Sequence, residues 1–278
     1  MNKTESYEIK IKPIKTNFYL NFRELWDYRE LFYIFAWRDI KVRYKQTVLG
    51  IAWVLFQPLV SMVVFTIFFG NFAKIPSGNL PYPLFVLCGL VFWTFFSNSL
   101  SAAGSSLISN ENIIKKVYFP KVILPLSAIV TGSVDFVINI ILLFAVGLYF
   151  RFIPPLLILP IILLGYIISF LTASGLGLFF SALNVKYRDV RYIIPFFIQT
   201  LIFLTPVIYP TSIIKSSVKA LFMLNPMAVV IESMRGVISG SIGIDFLGLG
   251  IASLIALVIF LTGLAFFNAT EKFFADII

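Results

Sequence analysis

The chain has 278 residues, 59% of them hydrophobic and only 13% charged, with a mean hydropathy of +0.96 and a formal net charge of +9. Soluble globular domains carry about a quarter of their residues as charges, so this composition excludes one and points to an integral membrane protein. The chain has no His and a single Cys at position 88. It therefore lacks the usual imidazole base, the commonest metal ligand and any intrachain disulfide.

In chain order, residues 1–20 are charged and mixed, and are expected to be loosely ordered. Residues 22–45 interleave aromatics, Leu and Ile with dense charge, and their continuous apolar stretch, 31–37, is too short to span. An interfacial helix along the cytoplasmic leaflet is the expectation; a solvated helix packed on other loops is the alternative. Six apolar runs follow, at 48–70, 83–104, 122–150, 156–183, 193–209 and 246–267. Most reach the length of about 20 residues that a helix needs to cross about 30 Å of hydrocarbon. Backbone in lipid must satisfy its hydrogen bonds within a helix or a closed barrel. The runs are too long and too evenly apolar for the alternating strands of a barrel, so the fold class is all-α integral membrane with six transmembrane helices.

Within these runs, Pro58 predicts a kink in the first, and the Pro- and Gly-rich link 71–82 reads as an outside turn. Run three is long enough that it must tilt or project. Run five is the shortest, closed by Pro206 and Pro210. The stretch 211–245 reads as two short helices, around 213–223 and 226–239, broken at Asn225-Pro226; they either dip into the outer face or pack on top of it. The first run begins only after a polar segment and has no small-residue cleavage site behind it, so it is expected to stay in the mature chain. The organisation expected is a cytoplasmic N-terminus over 1–47, a membrane domain over 48–267 and a short cytoplasmic tail over 268–278.

Orientation follows from Lys and Arg. Ten lie in 1–47, and Lys115, Lys116, Lys121, Lys186, Arg188, Arg191 and Lys272 fall on the same side. Only Lys74, Arg151, Lys215, Lys219 and Arg235 fall on the other. Both termini are therefore expected in the cytoplasm. Because these charges are spread over loops, they serve topology and attraction to anionic headgroups, and no nucleic-acid partner is expected.

No Gly is followed by Lys, so a Walker A phosphate loop is absent. Ser101, Ser105 and Ser106 have no His to activate them, and the acids are scattered, so no catalytic residue and no metal site is expected. Asp135 is the one ionisable residue deep in a run. A single buried acid is thin support for a proton relay; a local hydrogen bond to Asn139, one turn on, or a packing role is expected instead. In 105–121, Ser109 or Asn110 can cap a helix start, Glu111 suits its positive end, Lys115 and Lys116 suit its negative end, and Pro120 stops it. Ile113, Ile114, Val117, Tyr118 and Phe119 would then be available for docking, or the segment is a surface connector.

An ordered set of motifs runs across most of 40–230. It comprises Arg43-Tyr44-Lys45-Gln46-Thr47-Val48-Leu49-Gly50 with Trp53 and Pro58, then Phe92-Trp93 and Phe95-Phe96-Ser97-Asn98-Ser99. The segment 110–120 follows, then Leu183-Asn184-Val185-Lys186-Tyr187-Arg188-Asp189-Val190, Thr205-Pro206-Val207-Ile208-Tyr209 and Asn225-Pro226. In this set the chain resembles the membrane subunit of a polysaccharide-exporting ABC transporter of the ABC-2 class. The resemblance implies an ABC-2 (type V) exporter fold with an N-terminal interfacial helix, a cytoplasmic coupling helix and outer re-entrant gate helices.

It also implies a homodimer paired with two copies of a separate ATPase, which would bind ATP and Mg; no cofactor is expected in this chain. Asn110, Glu111, Asn112, Ile113, Ile114, Lys115, Lys116, Tyr118 and Phe119 are then the implied ATPase-coupling residues. Arg38, Arg43 and Tyr44 belong to the implied cytoplasmic gate. The substrate implied is a lipid-linked glycan of O-antigen type, passing from the cytoplasmic to the outer face of the bacterial inner membrane. Aromatic rings offer apolar contact to sugar faces, and Phe92, Trp93, Phe95, Phe96 and Tyr209 are the candidates for the glycan path. A teichoic acid, lipid or drug exporter of the same fold is the alternative; an ion-driven flippase acting alone is a further one.

Overall fold

The computed structural model describes residues 22–45, 50–152, 155–187, 189–215, 217, 222–240 and 245–274. The expectation for 1–20, motif residues Gln46, Thr47, Val48, Leu49 and Arg188, and part of the helix expected at 213–223 lie outside them. All regular structure among the described residues is helical. In chain order these are α1 (Phe22–Asp27), α2 (Arg29–Lys45), α3 (Gly50–Phe65), α4 (Tyr82–Ser109), α5 (Glu111–Ile114), α6 (Ile123–Tyr149), α7 (Ile158–Lys186), α8 (Val190–Leu204), α9 (Pro226–Ser239) and α10 (Phe246–Thr270). Past Phe65, α3 widens into π-type turns over Thr66–Phe72, and the Ala73 amide donates to the Phe68 carbonyl five residues back, at 2.9 Å.

Helix ends follow local chemistry. Pro81 and Pro83 pre-set the first turn of α4. At α9, the Asn225 Oδ1 accepts from the Met227 amide at 3.0 Å, Pro226 opens the helix, and Gly240 closes it at φ 61°. Asp245 caps α10 by accepting from the Gly248 amide at 2.8 Å.

Five described helices are long and apolar enough to span: the α3 segment Ala52–Phe72, α4, α6, α7 and α10. The fifth expected run, 193–209, needs correcting. Its helix, α8, starts at Val190 and stops at Leu204 after 15 residues. Pro206 is the cause, because its ring disfavours helical backbone at the preceding residue, and Thr205 is extended, at φ −112° and ψ 131°.

α4 is the central helix, 78% buried across its apolar window, whereas the α3 span is only 6% buried. α7 packs on α4 and on α10. Against α10 the two backbones touch, since a side chain at Gly175 would strike the Ile259 carbonyl and one at Gly263 would strike Gly175 itself. Small residues at such crossings are the membrane solution for close helix packing. α9 enters this bundle: twelve of its fourteen residues are buried, and it packs against α7, α10 and α4. Val230 sits beside Gly165 of α7 and close to Phe92 of α4, ten residues into α4 and therefore about 15 Å from its start.

α2 packs against α6, where the Thr131 Oγ1 donates to the Ala36 carbonyl at 3.4 Å and Arg43 and Tyr44 reach Asp135. Tyr33, Ile34 and Trp37 of α2 remain exposed, as does Trp26 of α1. Beneath it lies a second apolar core that joins Phe35 to Ile114, Phe119, Val122, Phe267 and Phe274. The half-buried Glu271 carboxylate, accepting from the Lys121 amide at 3.0 Å, ties the end of α10 to this core.

Candidate functional site

The elements above line a half-open cavity of about 1110 Å³. α2 contributes Arg38, Asp39 and Arg43; α3 contributes Trp53, Gln57 and Pro58. α4 lends one polar face, with Thr94, Asn98, Ser101 and Ser105 at helical spacing, and α6 adds Thr131, Asp135 and Asn139. On a helix, positions three and four apart share a face. That spacing inside an apolar run is the sequence signal for this wall.

Asp135 does not pair with Asn139 as expected. It accepts from the guanidinium of Arg43 and from the phenol of Tyr44. The reason is tertiary: α2 is laid across α6, which brings together groups more than ninety residues apart in sequence. Two of the three gate candidates thus meet at one acid. Burial, then the bond to Asp135, pushes the Tyr44 phenol far above its usual range and keeps it a donor. Arg38, the third, pairs with Asp39 at 2.8 Å on the same wall.

The glycan-path aromatics lie away from the cavity. Phe92, Phe95 and Phe96 are at most 2% exposed and Trp93 is 5% exposed. The Phe92 and Phe95 rings pack with Phe136 and Tyr166 between α4, α6 and α7, at centroid distances of 5.2–5.4 Å, and Trp93 packs on Phe96 at 5.6 Å. They form the inner core of the chain and none lines the cavity. Tyr209 lies outside the cavity too, its phenol donating to the Phe203 carbonyl at 2.6 Å. The ring that does face the cavity is Trp53, 57% exposed and stacked on Phe56 at 5.7 Å.

At the coupling candidates the helix is shorter than expected. α5 covers only Glu111–Ile114, and Asn110 caps it without a side-chain bond, its Nδ2 donating instead to the Ser106 carbonyl at 2.8 Å. Ile114 and Phe119 point inward to the second core, so neither is available to a partner. Asn112, Lys115, Lys116, Val117 and Tyr118 face out and Ile113 is half-buried, while Lys115 pairs with Glu111 at 2.5 Å.

A further feature escaped the sequence reading, which counted Arg235 as a loop charge. Arg235 is 4% exposed. Its guanidinium donates to the carbonyls of Pro206 (2.6 Å), Val207 (2.6 Å), Tyr209 (3.4 Å) and Phe85 (3.2 Å) and to Glu232 (3.1 Å), and lies over the Phe85 ring. The Tyr82 phenol donates to the remaining carbonyl, of Ile208, at 2.8 Å. The non-helical segment after α8 thereby has its acceptors satisfied inside the bundle, the condition for irregular backbone at such depth. Gly89 makes room, since a Cβ there would lie 3.0 Å from the Val207 carbonyl.

A multi-pass helical bundle with a half-open chamber among its helices is an architecture that suits a membrane permease. The chain belongs to the ABC-2 type transporter family, which it matches over residues 30–239. It is 30% identical over 220 residues to the O-antigen export system permease protein RfbA of Myxococcus xanthus, covering 77% of this chain and 82% of that one. A Klebsiella pneumoniae protein of the same name is 29% identical over 252 residues, covering 90% and 95%. The polysialic acid transport protein KpsM of Escherichia coli is 20% identical over 248 residues, covering 84% and 91%.

Proposed function

We propose that this chain is the membrane subunit of an ATP-driven exporter that carries a lipid-linked polysaccharide of O-antigen type across the bacterial inner membrane. The observation that carries this reading is similarity along nearly the whole length of permeases named for O-antigen export. The relative named for polysialic acid transport extends the similarity to a second long glycan. Two copies of the chain pair with two copies of a separate ATPase, which binds ATP and Mg, and both termini face the cytoplasm.

In this reading the ATPase seats against the turn after α5, through Lys116, Val117 and Tyr118. Closure of the ATPase pair pushes that turn. The push reaches α2 and α6 through the second core, where Phe35 packs against Phe119 at 5.7 Å between ring centroids. Movement of α2 relative to α6 separates Arg43 and Tyr44 from Asp135 and opens the cavity for the glycan.

Deleting the gene should abolish surface glycan and leave lipid-linked glycan inside the cell. In proteoliposomes, transport should need both the ATPase and ATP. Transport by the permease alone under a proton gradient would overturn the reading in favour of an ion-driven flippase.

A further inference from the structure

One face of α2 is open and carries charge of one sign. Between Tyr33 and Lys45 its exposed positions outside the cavity lining are Tyr33, Ile34, Trp37, Lys41 and Lys45. Spacings of three and four residues put them on one side of the helix. Tyr33 stacks on Trp37 at 6.2 Å between centroids, and the Lys41 ammonium stands 5.4 Å from the Trp37 ring centroid. The other cations within this stretch are matched, Arg38 by Asp39 and Arg43 by Asp135. Lys41 and Lys45 have no acid partner among the described residues, and the exposed acids Asp27 and Glu30 lie before the stretch.

Unmatched ammonium groups beside open indole, phenol and aliphatic side chains complement the boundary of an acidic bilayer, where rings settle at headgroup level and cations reach phosphate. The position of the face agrees. α2 ends at Lys45 and the spanning helix α3 opens at Gly50, so a short connection holds this end of α2 at the bilayer edge. The same pairing of cation and open ring recurs on the side expected to be cytoplasmic, with Arg29 over Trp26 at 5.4 Å, Lys186 over Tyr187 at 5.2 Å and Arg191 over Tyr192 at 5.6 Å. Lys74, Arg151 and Lys215, of the opposite side, lie over no ring among the described residues. We infer that this face of α2 is a binding surface for anionic phospholipid headgroups, with Lys41 and Lys45 on the phosphates and Tyr33 and Trp37 beside the glycerol level. The lipid is one the permease holds, as distinct from one it carries.

The test places the full-length permease, assembled with its ATPase, in vesicles of phosphatidylcholine with a minor share of phosphatidylglycerol, the only anionic lipid present. Benzoyl-phenylalanine at Ile34, on the same face as Trp37 and Lys41, should on irradiation capture phosphatidylglycerol about fivefold above its share, the effect of one cation near an acidic surface. The same probe at Leu254, 62% exposed on α10, should capture the two lipids in their bulk ratio. Lys41→Gln combined with Lys45→Gln should bring the Ile34 adducts down to that ratio. If this variant does not accumulate, the native lysines are tested in molar salt, where the screening length is about 3 Å, with the same fall expected. Ile34 adducts in the bulk ratio, or an enrichment that neither the variant nor salt reduces, would overturn the inference. A protein captured at Ile34 would overturn it too, by showing that a partner covers the face. The measurement reads bound lipid and no transport, so its failure leaves the export reading standing.

Discussion

At the scale of single residues, Arg235 makes the least replaceable contribution. Its planar fork serves several carbonyls at once, a geometry that the point charge of Lys cannot reproduce. Arg235→Met should leave the carbonyls of Pro206 and Val207 buried without donors, at roughly 1–3 kcal/mol each. Thermal unfolding in detergent is the measurement. A melting temperature equal to that of the native chain would mean that water or relaxed backbone serves those groups instead. Asp135 works differently. Its two partners come from one helix, so the cluster joins α2 to α6 at a single point and can be broken by moving α2 alone.

At the scale of elements, the segment after α4 divides by face. Ile114 and Phe119 belong to the core beneath α2, whereas Val117 and Tyr118 look outward at 55% and 58% exposure. Phe119→Ala should therefore destabilise the permease, by about 3–5 kcal/mol as for other buried Phe truncations. Val117→Asp should leave its stability unchanged and lower ATP hydrolysis by the assembled complex. Stability and ATPase assays on the same two preparations separate the effects. Equal loss of stability in both variants would show that the segment has no free face. The spacing of polar and apolar residues in 105–121 marked a short helix, but could not show which side of it faces the core.

At the scale of the molecule, α3 stands almost free of its own subunit while building one wall of the cavity. Trp53, Phe56, Val60, Val63 and Phe68 lie open along it. In the proposed dimer a second copy covers this helix. With a thiol cross-linker, Val60→Cys should yield a covalent permease dimer. Leu254→Cys, more open still and on α10, should remain monomeric, and Cys88 is too buried to react. Dimers from Leu254→Cys alone would move the interface to α10.

The amino-acid sequence by itself determined the membrane class, most span positions, the break at Asn225-Pro226 and the family. Those properties rest on local composition and short motifs, and the length of an apolar run is a local quantity. Only the tertiary structure decided that Phe92, Trp93, Phe95 and Phe96 are core, that Asp135 pairs with Arg43 and Tyr44, and that Arg235 is buried. Each depends on helices far apart in sequence being laid against one another. Aromatic residues look alike in sequence whether they face a neighbouring helix, lipid or a channel, and an arginine in a predicted loop carries no local mark of the carbonyls that will enclose it.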